Sequence, residues 1–156
     1  MINLKNSKNK QKTAIITGAS DGIGAAFSKL LIKNDWQVIG ISRSSSKLKI
    51  IKKNFSSNEQ SFKYFSCDVQ DFKKLKSIAK KIEAPDLLFL NAGIYSPVDS
   101  SKLNLDEYKE HFNINYLGVL NSYEAFLPGL ISKQNGHIII MSSVSGWIGL
   151  PKAAAY

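Results

Sequence analysis

Thr17-Gly18-Ala19-Ser20-Asp21-Gly22-Ile23-Gly24 follows the apolar run Ala14-Ile15-Ile16 and leads into Ala25-Ala26-Phe27-Ser28-Lys29-Leu30-Leu31-Ile32. The order is strand, glycine turn, helix. Glycine reaches backbone conformations closed to other residues and lets another group approach the main chain closely. At the start of a helix the first N–H groups lack partners, so such a turn is a ready cradle for a phosphate. The spacing Gly18-x-x-x-Gly22-x-Gly24 departs from G-x-G-x-x-G, and no Lys-Ser or Lys-Thr follows the last glycine as in a Walker loop. An ordinary glycine turn is the plain alternative. Its placement directly after the first strand favours the phosphate reading.

Outward from this loop, apolar runs of strand length recur at 14–17, 37–41, 61–65, 87–90 and 137–141. Leu87-Leu88-Phe89-Leu90 and Ile138-Ile139-Ile140-Met141 are continuous rather than alternating, which suits parallel strands buried on both faces. Amphipathic stretches at 22–33, 46–54, 71–83 and 105–126 are predicted as the intervening helices. Asn34-Asp35 closes the first and Asp71 caps the third, which Pro85 stops. Asn104 with Glu107 forms a capping box for the long helix, and Pro128-Gly129 ends or kinks it. These βα repeats, without a linker, predict a doubly wound α/β domain at 12–156 behind a polar extension at 1–11.

The chain of 156 residues is long enough for one real core. A net charge of +9 raises the question of nucleic acid. The lysines are scattered, however, and the cluster at 73–81 lies on the polar side of an amphipathic stretch without interleaved aromatics. No nucleic-acid partner is expected. No apolar stretch approaches a membrane span, and the polar start is not a secretory signal. The single cysteine, Cys67, cannot make an internal disulfide, which fits a reducing cytoplasm. Of 21 basic residues one alone is an arginine, Arg43.

Thr17–Gly24 resembles the cofactor loop of the short-chain dehydrogenase/reductase family. Asn91-Ala92-Gly93, just past the fourth strand, is similar to that family's second signature. Ser143 and Tyr156, thirteen residues apart, fit its third, and the likeness runs from about Lys12 to the last residue. It implies a nicotinamide dinucleotide held by Gly18, Ser20, Asp21, Gly22, Ile23 and Gly24. It also implies that Asp68, with Val69, meets the adenine, while Asn91, Ala92 and Gly93 make room beside the fourth strand. Asn91 has a partly structural role in the family, bridging neighbouring strands.

Cofactor choice belongs to the end of the second strand. An acidic residue there accepts from a ribose 2′-OH and repels a 2′-phosphate. This chain has Ser42-Arg43-Ser44 instead, with Lys47 beyond. A guanidinium fork among hydroxyls suits a phosphate, so NADP(H) is expected over NAD(H).

The resemblance also implies the reaction: hydride moves between nicotinamide and a carbonyl or alcohol. Tyr156 gives the proton, Ser143 orients the carbonyl oxygen, and Asn115 holds a water. Ser142 is adjacent but out of phase, and Asn113 competes with Asn115. Free tyrosine ionises near pH ~10, so the family lowers it with a lysine four residues later. Here Tyr156 is the last residue, so truncation after the tyrosine is expected. Losing that lysine alone costs about 10²–10⁴ in rate. The fifth strand would become an open apolar edge, prone to association. Residues 94–97 and Gly146, Trp147 and Ile148 are expected along one wall for a small-molecule carbonyl or alcohol, and a homo-oligomer would form through 105–126. Two alternatives stand beside this: a dinucleotide-binding remnant without turnover, and a sugar-nucleotide epimerase, whose loop is spaced G-x-x-G-x-x-G.

Overall fold

The computed structural model describes residues 11–55, 61–99 and 101–156. The polar extension expected at 1–11 therefore lies, Gln11 apart, outside the described residues. Five strands form one parallel sheet: β1 (Thr13–Thr17), β2 (Gln37–Ser42), β3 (Phe62–Ser66), β4 (Leu87–Leu90) and β5 (His137–Ile140). Their spatial order is β3-β2-β1-β4-β5. Ile15 stands beside Ile39 on one neighbour and Leu88 on the other. The direction of winding reverses between β1 and β4, and ligands of such sheets collect beyond the strand ends at that point.

Both faces of the central strands are apolar because both are covered. Ala14, Ile16 and Val38 pack with Leu31, Ile32, Leu48 and Phe62 on one side. Ile15, Ile39 and Ile41 pack with Leu75, Ile78, Phe126 and Leu130 on the other. Each such side chain taken out of water contributes about 1.5–3 kcal/mol, which is why these runs read as continuous.

The helix starts are set by short polar side chains. Asp21 caps α1 (Gly22–Lys33), and its carboxylate accepts the Gly22 N–H. Ser44 caps α2 (Ser45–Lys53) and Asp71 caps α3 (Phe72–Ala79) through the Lys74 N–H. Asn104 caps α4 (Leu105–His111), but it accepts from Asp106 N–H rather than completing the expected box with Glu107. Asp35 closes α1 with φ of +61°, a conformation aspartate tolerates better than most.

Two expectations are corrected. α3 stops at Ala79, not at 83. A tight turn from Lys81 N–H to Ile78 carbonyl redirects the chain, and Ile82 then packs back on the core. The stretch 105–126 is not one regular helix either. α4 passes into a π-helical turn, Phe112–Leu117, and then into α5 (Gly118–Lys133). Pro128 lies inside α5 and does not end it. An interior proline costs about 3 kcal/mol. Burial of Ala125, Phe126 and Leu130 on the sheet offsets that and carries the helix onward.

At the far end, Asp86 fastens three elements. Its carboxylate accepts the Thr13 N–H and the Lys133 ammonium. Burial works against its ionisation, but Lys133 and the Thr13 N–H outweigh it and hold the carboxyl below its ordinary range.

β5 is the open edge, and here the expectation of burial on both faces fails. β4 is buried throughout, whereas Ile138, Ile139 and Ile140 are 38%, 42% and 56% exposed. Phe112 and Tyr116 stack on each other and are exposed, as are Leu120 and Tyr123 further along the same helical stretch. Exposed apolar strand edges template association. This polypeptide by itself is expected to elute from a sizing column as an oligomer or aggregate. A monodisperse, cooperatively melting monomer contradicts that.

Candidate functional site

The C-terminal ends of β1, β2, β4 and β5 open into one cleft of about 740 Å³. Gly18 and Gly24 shape its floor. Gly18 has φ of +68°, and a Cβ there would stand 2.9 Å from Asn91 Nδ2. A Cβ on Gly24 would stand within 3 Å of the Gly18 carbonyl, so α1 can approach β1 only with glycine at this position. Gly24 therefore lies behind the cleft wall, whereas Gly18, Gly22 and Ile23 line it.

Asn91 holds this loop against β4. Its Nδ2 donates to the Thr17 and Gly18 carbonyls at 3.1 and 3.4 Å. Thr17 answers from the other side: its Oγ1 accepts both the Asn91 and Ala92 N–H groups at 3.0 Å. Thr17 is buried and was not among the expected site residues. Its signal was its place as the last strand residue before Gly18, at the point where two strand ends must be joined. Ala92 and Gly93 line the cleft as expected.

Ser20 and Ser42 share a hydroxyl hydrogen bond of 2.6 Å, which ties the glycine loop to the end of β2. Arg43 follows, half-exposed, with a guanidinium nitrogen 3.9 Å from Asp68 Oδ2. The other Asp68 oxygen accepts the Gln70 N–H, so that side chain serves a local turn and the cleft together. Val69 lines the cleft too, and its carbonyl accepts from Asn121 Nδ2. Ser44 does not line it; its hydroxyl caps α2. Asp21 does, with its carboxylate 2.7 Å from Lys47 Nζ. The Lys47 ammonium first, and then the Gly22 N–H, hold that carboxyl below its ordinary range.

Asn115, Ser143 and Tyr156 reach the same cleft from three other elements. Asn115 lies in the π-helical turn, a form that recurs at functional sites. Its side chain is paired with one residue: Oδ1 accepts the Ile94 N–H at 2.8 Å and Nδ2 donates to the Ile94 carbonyl at 2.9 Å, which leaves one donor and one acceptor site of the amide over. Ser143 follows β5 and caps a short 3₁₀ turn, Val144–Gly146, by accepting the Ser145 N–H. Ser142 and Ser145 also line the cleft. The Tyr156 ring meets Tyr95 edge-on, with centroids 5.1 Å apart. Of the expected wall, Ile94, Tyr95 and Gly146 line the cleft. Ser96, Pro97, Trp147 and Ile148 do not, and Trp147 is 87% exposed.

His111 was missed as well. It is buried, with Nδ1 bonded to the Glu107 carbonyl and Nε2 accepting the Ser96 N–H, so it pins the loop after β4 to α4. Cys67 lines the cleft, but burial above all pushes its thiol up to about 11, which removes it as a nucleophile at neutral pH. Among the described residues no cluster of three or more His, Cys, Asp and Glu side chains could hold a metal. None of their helices is long and apolar enough to cross a membrane.

A family model described as short chain dehydrogenase matches residues 12–156. The chain belongs to the short-chain dehydrogenase family. An uncharacterized oxidoreductase of Listeria monocytogenes is 38% identical over 151 residues, covering 94% of this chain and 61% of that protein. The solved structure of ElxO with NADP bound matches with a TM-score of 0.86 at 30% identity, over 94% of this chain and 61% of that one. An NAD⁺-bound xylitol dehydrogenase, 23% identical with a TM-score of 0.86 over 93% of this chain and 58% of its own, shares the fold. This short-chain dehydrogenase chain thus spans 61% of the length of the Listeria relative it matches.

Proposed function

We propose that this chain carries the cofactor site and proton-donating groups of an NADP(H)-dependent oxidoreductase acting on a small carbonyl or alcohol. The observation that carries the proposal is convergence. Ser143, Asn115 and Tyr156 open into the same cleft as the glycine loop and Arg43. The residues fit the cofactor: the loop leaves no room for a Cβ at Gly18, α1 points its N-terminus at the cleft, and the volume is that of cofactor sites. When bound, the dinucleotide supplies or accepts the hydride. Tyr156 donates its phenolic proton to the carbonyl oxygen as negative charge grows there, and the Ser143 hydroxyl hydrogen-bonds that oxygen. Asn115, with both side-chain ends on Ile94, keeps the π-helical turn and the loop after β4 in place.

Arg43, with Ser20 and Ser42 beside it, supports NADP(H), as does the NADP-bound relative. Residues 12–156 form one dinucleotide-binding domain in this reading, behind an extension at 1–11, in a reducing cytoplasm. The exposed face holding Phe112, Tyr116, Leu120 and Tyr123 supports self-association through 105–126. The test is a fluorescence titration with NADPH and NADH, followed by NADPH oxidation against a panel of aldehydes and ketones. NADPH is expected to bind at least about tenfold tighter, one good phosphate contact being worth about 1.5–3 kcal/mol. Equal affinities sink the cofactor choice. Tight NADPH binding without turnover favours the second reading, a dinucleotide-binding module.

A further inference from the structure

Asp21 stands where a phosphate-binding site should not have a carboxylate. The Ser20–Ser42 hydroxyl bond brings the glycine loop against the end of β2, and Arg43 follows Ser42 directly. Asp21 lines the cleft at that corner, together with Arg43. A bare carboxylate there repels a 2′-phosphate. This one is not bare, because Lys47 Nζ lies 2.7 Å from its Oδ2. Lys47 itself is not part of the cleft lining. It reaches the carboxylate from the first turn of α2, outside the wall.

The pair is a poor stability device. Its side chains are 57% and 76% exposed, and exposed pairs contribute little to folding. Its electrostatic consequence is larger. Four charged groups meet at this corner, Arg43 with Asp68 and Lys47 with Asp21, and they sum to zero. Without Lys47 the sum is one negative charge, and the ionised Asp21 faces the phosphate site alone.

We infer that Lys47 is a specificity-determining residue of the cofactor site that acts through Asp21, cancelling its charge so that a 2′-phosphate can dock beside Arg43. The inference rests on the NADP(H) reading above. Sequence alone placed Lys47 near the phosphate as one more cation; the structure makes it a screen for a carboxylate instead. It acts far more on NADPH than on NADH, because both bring phosphates to the glycine loop and only NADPH adds a 2′-phosphate beside Arg43.

Two variants test it against the unaltered chain, Lys47→Met and Asp21→Asn with Lys47→Met, each titrated with NADPH and NADH by fluorescence. Asparagine caps a helix as well as aspartate does, so Asp21→Asn keeps α1. Lys47→Met is expected to raise the NADPH Kd about tenfold, the scale of an unscreened charge a few ångströms from a phosphate dianion near water. The NADH Kd should stay within about twofold, which also shows that the fold is intact. Adding Asp21→Asn should return the NADPH Kd to within about threefold of the unaltered chain. A double variant that stays weak shows Lys47 acting on the phosphate itself and overturns the inference. So does an NADPH preference that Lys47→Met leaves untouched. Equal binding of both cofactors by the unaltered chain overturns the cofactor reading and this inference together.

Discussion

Replacing Tyr156 by phenylalanine is expected to lower NADPH-dependent carbonyl reduction by about 10²–10⁴-fold, the scale of general acid assistance. NADPH affinity should stay within about twofold. The separation follows from what the side chain touches. Its ring packs edge-on against Tyr95 and, at 6.5 Å, beside His111, and phenylalanine keeps both contacts. The phenolic oxygen is the only atom lost. Tyr156 is 43% exposed, so its removal from the fold's energetics is small. Steady-state rates and an NADPH titration of the variant check both halves. A variant that keeps its rate removes Tyr156 as the proton donor. A variant that loses NADPH binding as well makes the tyrosine a structural part of the cleft instead.

Arg43→Asp is expected to invert cofactor preference, weakening NADPH by about 10²–10³-fold and leaving NADH equal or tighter. A guanidinium–phosphate contact is worth about 1.5–3 kcal/mol, and a carboxylate in its place adds repulsion. The same carboxylate can accept from a ribose 2′-OH, which favours NADH. The fold should not suffer. Arg43 is half-exposed, and the Ser66 hydroxyl bonds its main-chain carbonyl, which any residue retains. Paired titrations and a thermal melt measure this. An unchanged preference removes Arg43 from the phosphate site.

Local chemistry made the caps legible in advance. Asp71 and Asn104 cap because a short side-chain oxygen can reach N–H groups within its own first turn. The doubly wound parallel sheet was legible because βα repeats leave few ways to wind, but cover was not: the continuous run of β4 is buried on both faces and that of β5 is exposed. Pro128 shows where such reasoning stops. It was expected to end or kink the helix, but it lies inside α5, and packing of Phe126 and Leu130 on the sheet carries the helix past it. Ser44 shows the same limit at the site: it follows Arg43 directly in the chain, yet only the three-dimensional path shows that it caps α2 outside the cleft lining.

By itself the sequence determined the strand–glycine turn–helix unit and the doubly wound sheet, and its resemblance to a family pointed to the polar groups at the strand ends. The first two follow from spacing along the chain. Tertiary structure decided which of those groups still have a free hand. Asn91 donates to the Thr17 and Gly18 carbonyls and Asn115 pairs with Ile94, so both tie loops together while lining the cleft, and Thr17 and His111 turn out to hold loops together. It also set Lys47 against Asp21, 26 positions apart in the chain. The physical reason is that hydrogen bonding and charge depend on distances of a few ångströms between residues far apart in the chain. Only the packed fold sets those distances.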